Sequence, residues 1–200
     1  PWRSWIVWDS TRWAIDSAGR AAEKAKSVSD HIWQEARDAG GGDELFKFAA
    51  QSASERSINA MLALAKSEPG ITVQPTDLDR DPWLLNLRNG TIDLRTGKLR
   101  EHAREDLLTK LAPVEHDPQA TCEVWDRFLG RIFADDMELI RYVQRLAGYW
   151  LTGVVRDQVL PIMWGAGANG KTTFLNGITD MLGPDFGMKA TSDLLMKKSR

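Results

Sequence analysis

Pro161-Ile-Met-Trp-Gly165-Ala-Gly-Ala-Asn-Gly170-Lys171-Thr172-Thr173-Phe174-Leu175 is the stretch that decides how this chain is read. Val159, Leu160, Ile162, Met163 and Trp164 predict a buried strand. Phe174, Leu175 and Ile178 recur at helical spacing until Gly183-Pro184 stops them. Between the two, Gly165, Gly170, Lys171 and Thr172 satisfy G-x-x-x-x-G-K-[ST] without a mismatch, a pattern that carries phosphate chemistry when a strand precedes it and a helix follows.

Each residue type in that stretch has a physical reason. Glycines let the backbone close on the oxygens of a triphosphate, with successive N–H groups and a helix N-terminus pointing inward. Lys171 supplies a mobile charge for the β- and γ-phosphates, and the Thr172 hydroxyl suits a Mg²⁺ that keeps most of its waters. The expected nucleotide-binding set is Gly165, Ala166, Gly167, Ala168, Asn169, Gly170, Lys171, Thr172 and Thr173, with ATP and Mg²⁺ as ligands and Lys171 and Thr172 as the catalytic pair. A glycine-rich turn before an ordinary helix is the bland alternative.

Composition sets the frame. The 200 residues carry 26 basic and 28 acidic side chains, with 42% hydrophobic and 27% charged residues, which lies in the globular range. No run of eighteen apolar residues occurs and no charged-then-apolar leader opens the chain, so the default is a soluble intracellular protein without a membrane partner. The lone Cys122, beside Glu123 and Asp126, has no positive setting to activate it and reads as a partly buried structural cysteine. The near-neutral charge and the lack of a basic block give no global nucleic-acid signature. Four of the nine tryptophans fall within Trp2 to Trp13, interleaved with Arg3 and Arg12. They suit the core of a half-buried hairpin better than a base-stacking platform.

Along the chain, Trp5–Trp8 and Arg12–Ile15 flank Asp9-Ser10-Thr11 as a hairpin. Ser17 is the expected cap of a helix running to Gly40. Asp43 and Ser54 are the expected caps of two shorter helices, the second stopped by Pro69-Gly70. From Asp81 the period changes to that of a small meander through Asn89-Gly90 and Thr96-Gly97, with Leu107 to Leu111 offering a further strand. Two amphipathic helices follow. One carries Val124, Trp125, Phe128, Leu129, Ile132 and Phe133; the other, capped near Asp135 or Asp136, carries Leu139, Ile140, Val143, Leu146, Ala147 and Trp150. His31, His102 and His116 lie far apart with no partner at zinc-ligand spacing, so no metal site is assigned to them. The expected architecture is an α+β domain over 1–118 (β-hairpins with helices), a collar-like helix pair over 119–153, and the truncated start of a P-loop α/β ATPase domain over 154–200.

The loop Gly165-x-Gly167-x-Asn169-Gly170-Lys171-Thr172-Thr173 resembles that of superfamily 3 helicases in phage and plasmid primases, including the poxvirus-type primase-helicases. Trp8-Asp-Ser-Thr-Arg-Trp13, Asn86-Leu-Arg-Asn-Gly-Thr-Ile-Asp-Leu-Arg-Thr-Gly97 and the helix pair ending at Gly148-Tyr-Trp-Leu-Thr152 resemble the region that precedes the ATPase in that family. Ser10 departs from the glycine common at its position. The resemblance implies an AAA+-like, ring-forming, homo-oligomeric (hexameric) ATPase that translocates on single-stranded DNA and unwinds forked duplex, with a fused or associated primase. It also implies a setting in the cytoplasm of a bacterial host, encoded by a phage, prophage or plasmid.

The family's acidic Walker B strand, sensor, DNA-contacting hairpin and arginine finger would lie beyond Arg200. The 200 residues by themselves are therefore expected to bind nucleotide weakly and not to hydrolyse it. From the resemblance, Asn169 would help to orient the catalytic water. The alternative from another class is an oligomerisation or partner-docking module with a structural nucleotide site, motivated by the wide apolar stripes between Thr121 and Leu151. A small-molecule kinase is a third reading, disfavoured because such enzymes usually carry this loop near the N-terminus.

Overall fold

In the computed structural model, which describes residues 4–191, six α-helices and five short strands are formed. The described residues of Pro1–Asp9 with Trp13–Leu78 form one compact unit; those of Ser10–Arg12 with Asp79–Arg200 form a second. Each sheet is antiparallel, one of two strands and one of three, so the described fold is α+β. No helix among the described residues is long and apolar enough to cross a membrane.

In the first unit, β1 (Ile6–Trp8) pairs with β2 (Trp13–Ile15), the expected hairpin. Trp8 sits opposite Trp13 with ring centroids 5.9 Å apart, and both are half-buried as packing residues of the hairpin. In the turn between them, Ser10 takes a φ of 86°, a left-handed backbone that favours glycine.

Helix α1 (Arg20–Asp38) is capped not by Ser17 but by Asp16, whose two carboxylate oxygens accept from the N–H groups of Arg20 and Ala21, each at 2.9 Å. The carboxylate reaches the first turn past the left-handed Gly19 at the cap position. The bond from Ala21 N–H holds the Asp16 carboxyl below its ordinary range. In α2 (Asp43–Ser52) the cap position belongs to Gly42, and Asp43 stands in the first turn, where its charge complements the helix dipole. Ser54 caps α3 (Glu55–Ala65) as expected, its Oγ accepting from Ser57 N–H. Ala25, Ala36, Ala49 and Ile58 are buried, and Ser29 Oγ donates to Ser52 O at 3.1 Å; small residues let the three helices approach closely.

In the second unit, β3 (Leu84–Leu87), β4 (Gly90–Asp93) and β5 (Lys98–Arg100) form the expected meander, but Leu87 pairs with Gly90, so the first turn is Arg88-Asn89 rather than Asn89-Gly90 and Gly90 opens β4. Arg95 donates to both carboxylate oxygens of Asp81, at 2.8 and 3.1 Å, and lies 5.5 Å from the centre of the Trp83 ring. This hydrogen bonding from Arg95 holds the Asp81 carboxyl below its ordinary 3.8. A depressed carboxyl contributes stability above the unfolded-state pKa and loses it as pH falls through the folded-state value. Arg95→Ala is therefore expected to blunt the acid limb of a stability profile below about pH 4, by less than about 1 kcal/mol because the pair is exposed. Urea melts at pH 3 and pH 7 check this: an equal loss at both pH values would contradict it.

Leu107 to Leu111 does not form the further strand. Leu107 turns left-handed at a φ of 53° after a short 3-10 helix at Arg104–Asp106, which breaks the ladder. The chain then runs beside β3 with two isolated bonds, Ala112 N–H to Asn86 O and Arg88 N–H to Val114 O, both at 2.9 Å.

Within this run Asn86, 1% exposed, is a hub. Its Nδ2 donates to Thr11 O at 2.9 Å and Lys110 O at 3.0 Å. Its Oδ1 accepts from Thr91 Oγ at 2.9 Å and lies 2.9 Å from His102 Nδ1, which places the imidazole hydrogen on Nδ1. All four hydrogen-bonding capacities of the amide are thus used inside the chain.

The two expected amphipathic helices are α4 (Glu123–Ile132) and α5 (Met137–Trp150). Asp136 caps α5, accepting from Glu138 and Leu139 N–H at 3.0 Å. Cys122, at the α4 cap position, is exposed rather than partly buried, because the apolar stripe of α4 begins only at Trp125 and turns away from it. Leu129, Ile140, Val143 and the later Phe174 bury one another. Leu85, Leu87, Ile92, Ala112 and Leu182 form a second core beneath the meander.

The buried strand expected at 159–164 is not formed. Val159, Leu160, Ile162 and Trp164 are exposed, Trp164 at 94%. A central strand needs neighbours on both edges, and among the described residues no strand pairs with this segment.

Candidate functional site

Helix α6 (Lys171–Leu182) begins where the sequence predicts, with Gly170 at its cap position and Gly183 ending it. Phe174 and Ile178 point inward, Phe174 only 2% exposed and stacked on Trp125 at 5.7 Å and an interplanar angle of 19°. Packing of this face on α4 sets where the helix starts. The Gly165–Thr173 stretch therefore ends on a fixed support, although no strand leads into it.

Gly165, Ala168 and Gly170 all have positive φ, at 156°, 58° and 83°. Both glycines are favoured by angle, and Gly170 is required by space as well. A Cβ on Gly165 would overlap the Asn169 amide and stand 3.6 Å from Lys171 Nζ; one on Gly170 would stand 2.6 Å from Ile132 Cγ2 and 3.2 Å from Phe128 Cε2. Gly170→Ala is expected to cost about 2 kcal/mol or more, combining left-handed strain with overpacking against α4. Chemical denaturation reads this, and a variant as stable as the parent chain would contradict it.

No side chain caps the N-terminus of α6. Lys171, Thr172 and Thr173 occupy its first turn, where backbone N–H groups have no intrahelical acceptor. Lys171 Nζ folds back over the loop and donates to Gly165 O at 3.1 Å, Ala166 O at 3.3 Å and Asn169 Oδ1 at 2.6 Å. The structure thus brings Gly165, Ala166 and Asn169 together around the Lys171 ammonium. Thr172 and Thr173 follow on the exposed side of the first turn.

A cleft of about 550 Å³ opens beside this loop, and Asn169 and Lys171 lie at its edge. Its other walls come from the α4–α5 turn, from α5 and from residues 161–164. The α5 residues among them were not legible as site residues, because in the sequence Leu139 and Leu146 only continue an apolar helical stripe and Tyr142 falls outside it. Nor does the sequence reveal that Phe128 and Ile132 seat Gly170. Asn86 did leave a signal: an amide inside the apolar run Leu84-Leu-Asn-Leu87.

Comparison with known proteins adds identity to this geometry. The family described as "D5 N terminal like" matches residues 2–134. The match takes in Trp8–Trp13, the Asn86–Gly97 meander and α4, and it ends before the Gly165–Thr173 loop. A protein of Invertebrate iridescent virus 3 named "Putative helicase 121R" is 25% identical over 126 residues, covering 60% of this chain. The aligned region is 13% of the length of that viral relative. With residues 2–134 of its 200 inside the family match, the chain belongs to the D5 N terminal-like family.

Proposed function

We propose that the chain is the region preceding the ATPase, together with the phosphate loop, of an ATP-dependent replicative DNA helicase of the phage and plasmid primase-helicase type. The observation that carries this reading is the Lys171 ammonium, held by Gly165 O, Ala166 O and Asn169 Oδ1 over a glycine-rich turn that opens α6. Family membership and the helicase name of the viral relative support the same class.

The donor set suits a Mg-triphosphate. Two positive-φ glycines shape the turn, the α6 N-terminus is free of a side-chain cap, and one cation faces the loop. Lys171 would exchange its carbonyl partners for the β- and γ-phosphate oxygens, and the loop and first-turn N–H groups would cradle them. Thr172 would hold Mg²⁺, which when bound neutralises charge across those oxygens. Asn169, already bonded to Lys171, would orient the attacking water. The wider reading follows the family class: a homo-oligomeric, hexameric ring acting on single-stranded and forked DNA, with a fused or associated primase.

The test is ATP turnover, with and without single-stranded DNA, by the full-length helicase of which this chain would be part. Stimulation by DNA supports the motor; nucleotide binding with no DNA-stimulated turnover would overturn it in favour of the oligomerisation or docking module. That second reading has less support, because Leu129, Ile140 and Val143 of the α4 and α5 stripes are buried together with Phe174.

A further inference from the structure

The cleft beside the loop has walls of one chemistry and an edge of another. Phe133, Leu139, Tyr142 and Leu146 face Ile162 and Trp164, whereas the charged group at the edge is Lys171, and no Asp or Glu lines the cleft. Its volume of about 550 Å³ is that of a small-molecule site, which typically spans about 300–1,000 Å³. An apolar disc joined to a polyanion fits such a space. Tyr142 is 52% exposed, and among the described residues it is in no ring–ring contact, so one face of a rigid aromatic remains for stacking.

We propose that this cleft receives the base and ribose of the nucleoside triphosphate whose phosphates the loop holds, with the base stacked on Tyr142. The inference rests on the phosphate-loop reading above and extends it to the α4–α5 pair. Lys171 and Asn169 border both the cleft and the loop, so one ligand reaches both without a break. Base recognition then falls to α5, a helix that contributes nothing to the G-x-x-x-x-G-K-[ST] signature.

Calorimetric titration with MgATP and with inorganic tripolyphosphate separates the two parts of the ligand. Tyr142→Ala is expected to weaken MgATP about tenfold while leaving tripolyphosphate unchanged, as for the loss of one base–aromatic stack. Leu139→Trp, which fills the cleft from the same helix, is expected to do the same. Lys171→Ala is expected to weaken both ligands. If tripolyphosphate binding depends on Lys171 but neither cleft variant changes the ratio of the two affinities, the cleft inference is overturned and the phosphate loop stands. If tripolyphosphate binding is indifferent to Lys171→Ala, the phosphate reading fails and the cleft inference fails with it.

Discussion

Lys171→Ala is expected to lower ATP turnover by the full-length helicase proposed above by at least about a hundredfold, the scale seen when one preorganised charge-stabilising donor is removed from a site of this kind. The effect should appear in turnover rather than in folding. Lys171 is the first residue of α6, where a cation is opposed by the positive end of the helix dipole, so its loss relieves an unfavourable term of about 0.3–1 kcal/mol. Against this stand three hydrogen bonds to loop oxygens, two of them to backbone carbonyls that solvent can satisfy instead. The two changes oppose each other, and the melting temperature should stay within a few degrees. Phosphate release with and without single-stranded DNA, beside a thermal melt, tests both halves. Unchanged turnover would remove the site assignment; a collapsed melt would show that Lys171 is needed for folding first.

Asn86→Asp is expected to be the most damaging conservative change in the described fold. The amide donates twice, to Thr11 O and Lys110 O, and accepts from Thr91 Oγ and His102 Nδ1. A carboxylate would keep both acceptances but turn oxygen toward two carbonyl oxygens at about the same separation. The residue is 1% exposed, so an ionised group there is buried among groups that repel it, and the cost should reach about 4 kcal/mol. Against a typical domain stability of about 5–15 kcal/mol, that is enough to leave a marginal fold largely open. Urea denaturation of the variant measures it. A loss below about 1 kcal/mol would mean that water reaches the network in place of the missing donors.

Elements whose signal is local were legible in the sequence. The hairpin, the meander around Asn89-Gly90, the three N-terminal helices, the α4–α5 pair and the start of α6 each carry their own period and stop signals. Cap identity was less legible, because Asp16 reaches past Gly19 and displaces Ser17 as the capping group, a geometry fixed by the left-handed backbone at Gly19. The apolar run at 159–164 misled for a different reason: a strand is defined by what pairs with it, and hydrophobicity alone supplies no partner. In the candidate site, the loop residues were legible because their spacing is itself the signal. The α5 side of the cleft was not, since Leu146 looks like any other member of an amphipathic stripe, and Tyr142 like an ordinary residue outside it, until α5 is placed beside residues 161–164.

Gly170 meets Ile132 and Phe128 at its back, and Trp125 lies against Phe174 and Gly177 one and two turns further on. The loop and α4 are therefore cut to each other's shape, and evolution or engineering would have to exchange them as a single cassette. A chimera that imports residues 165–182 from a relative while keeping its own 123–133 would set foreign bulk against an aromatic ridge shaped for glycine. Breakpoints for chimeras of this chain should accordingly avoid the interval between Glu123 and Leu182.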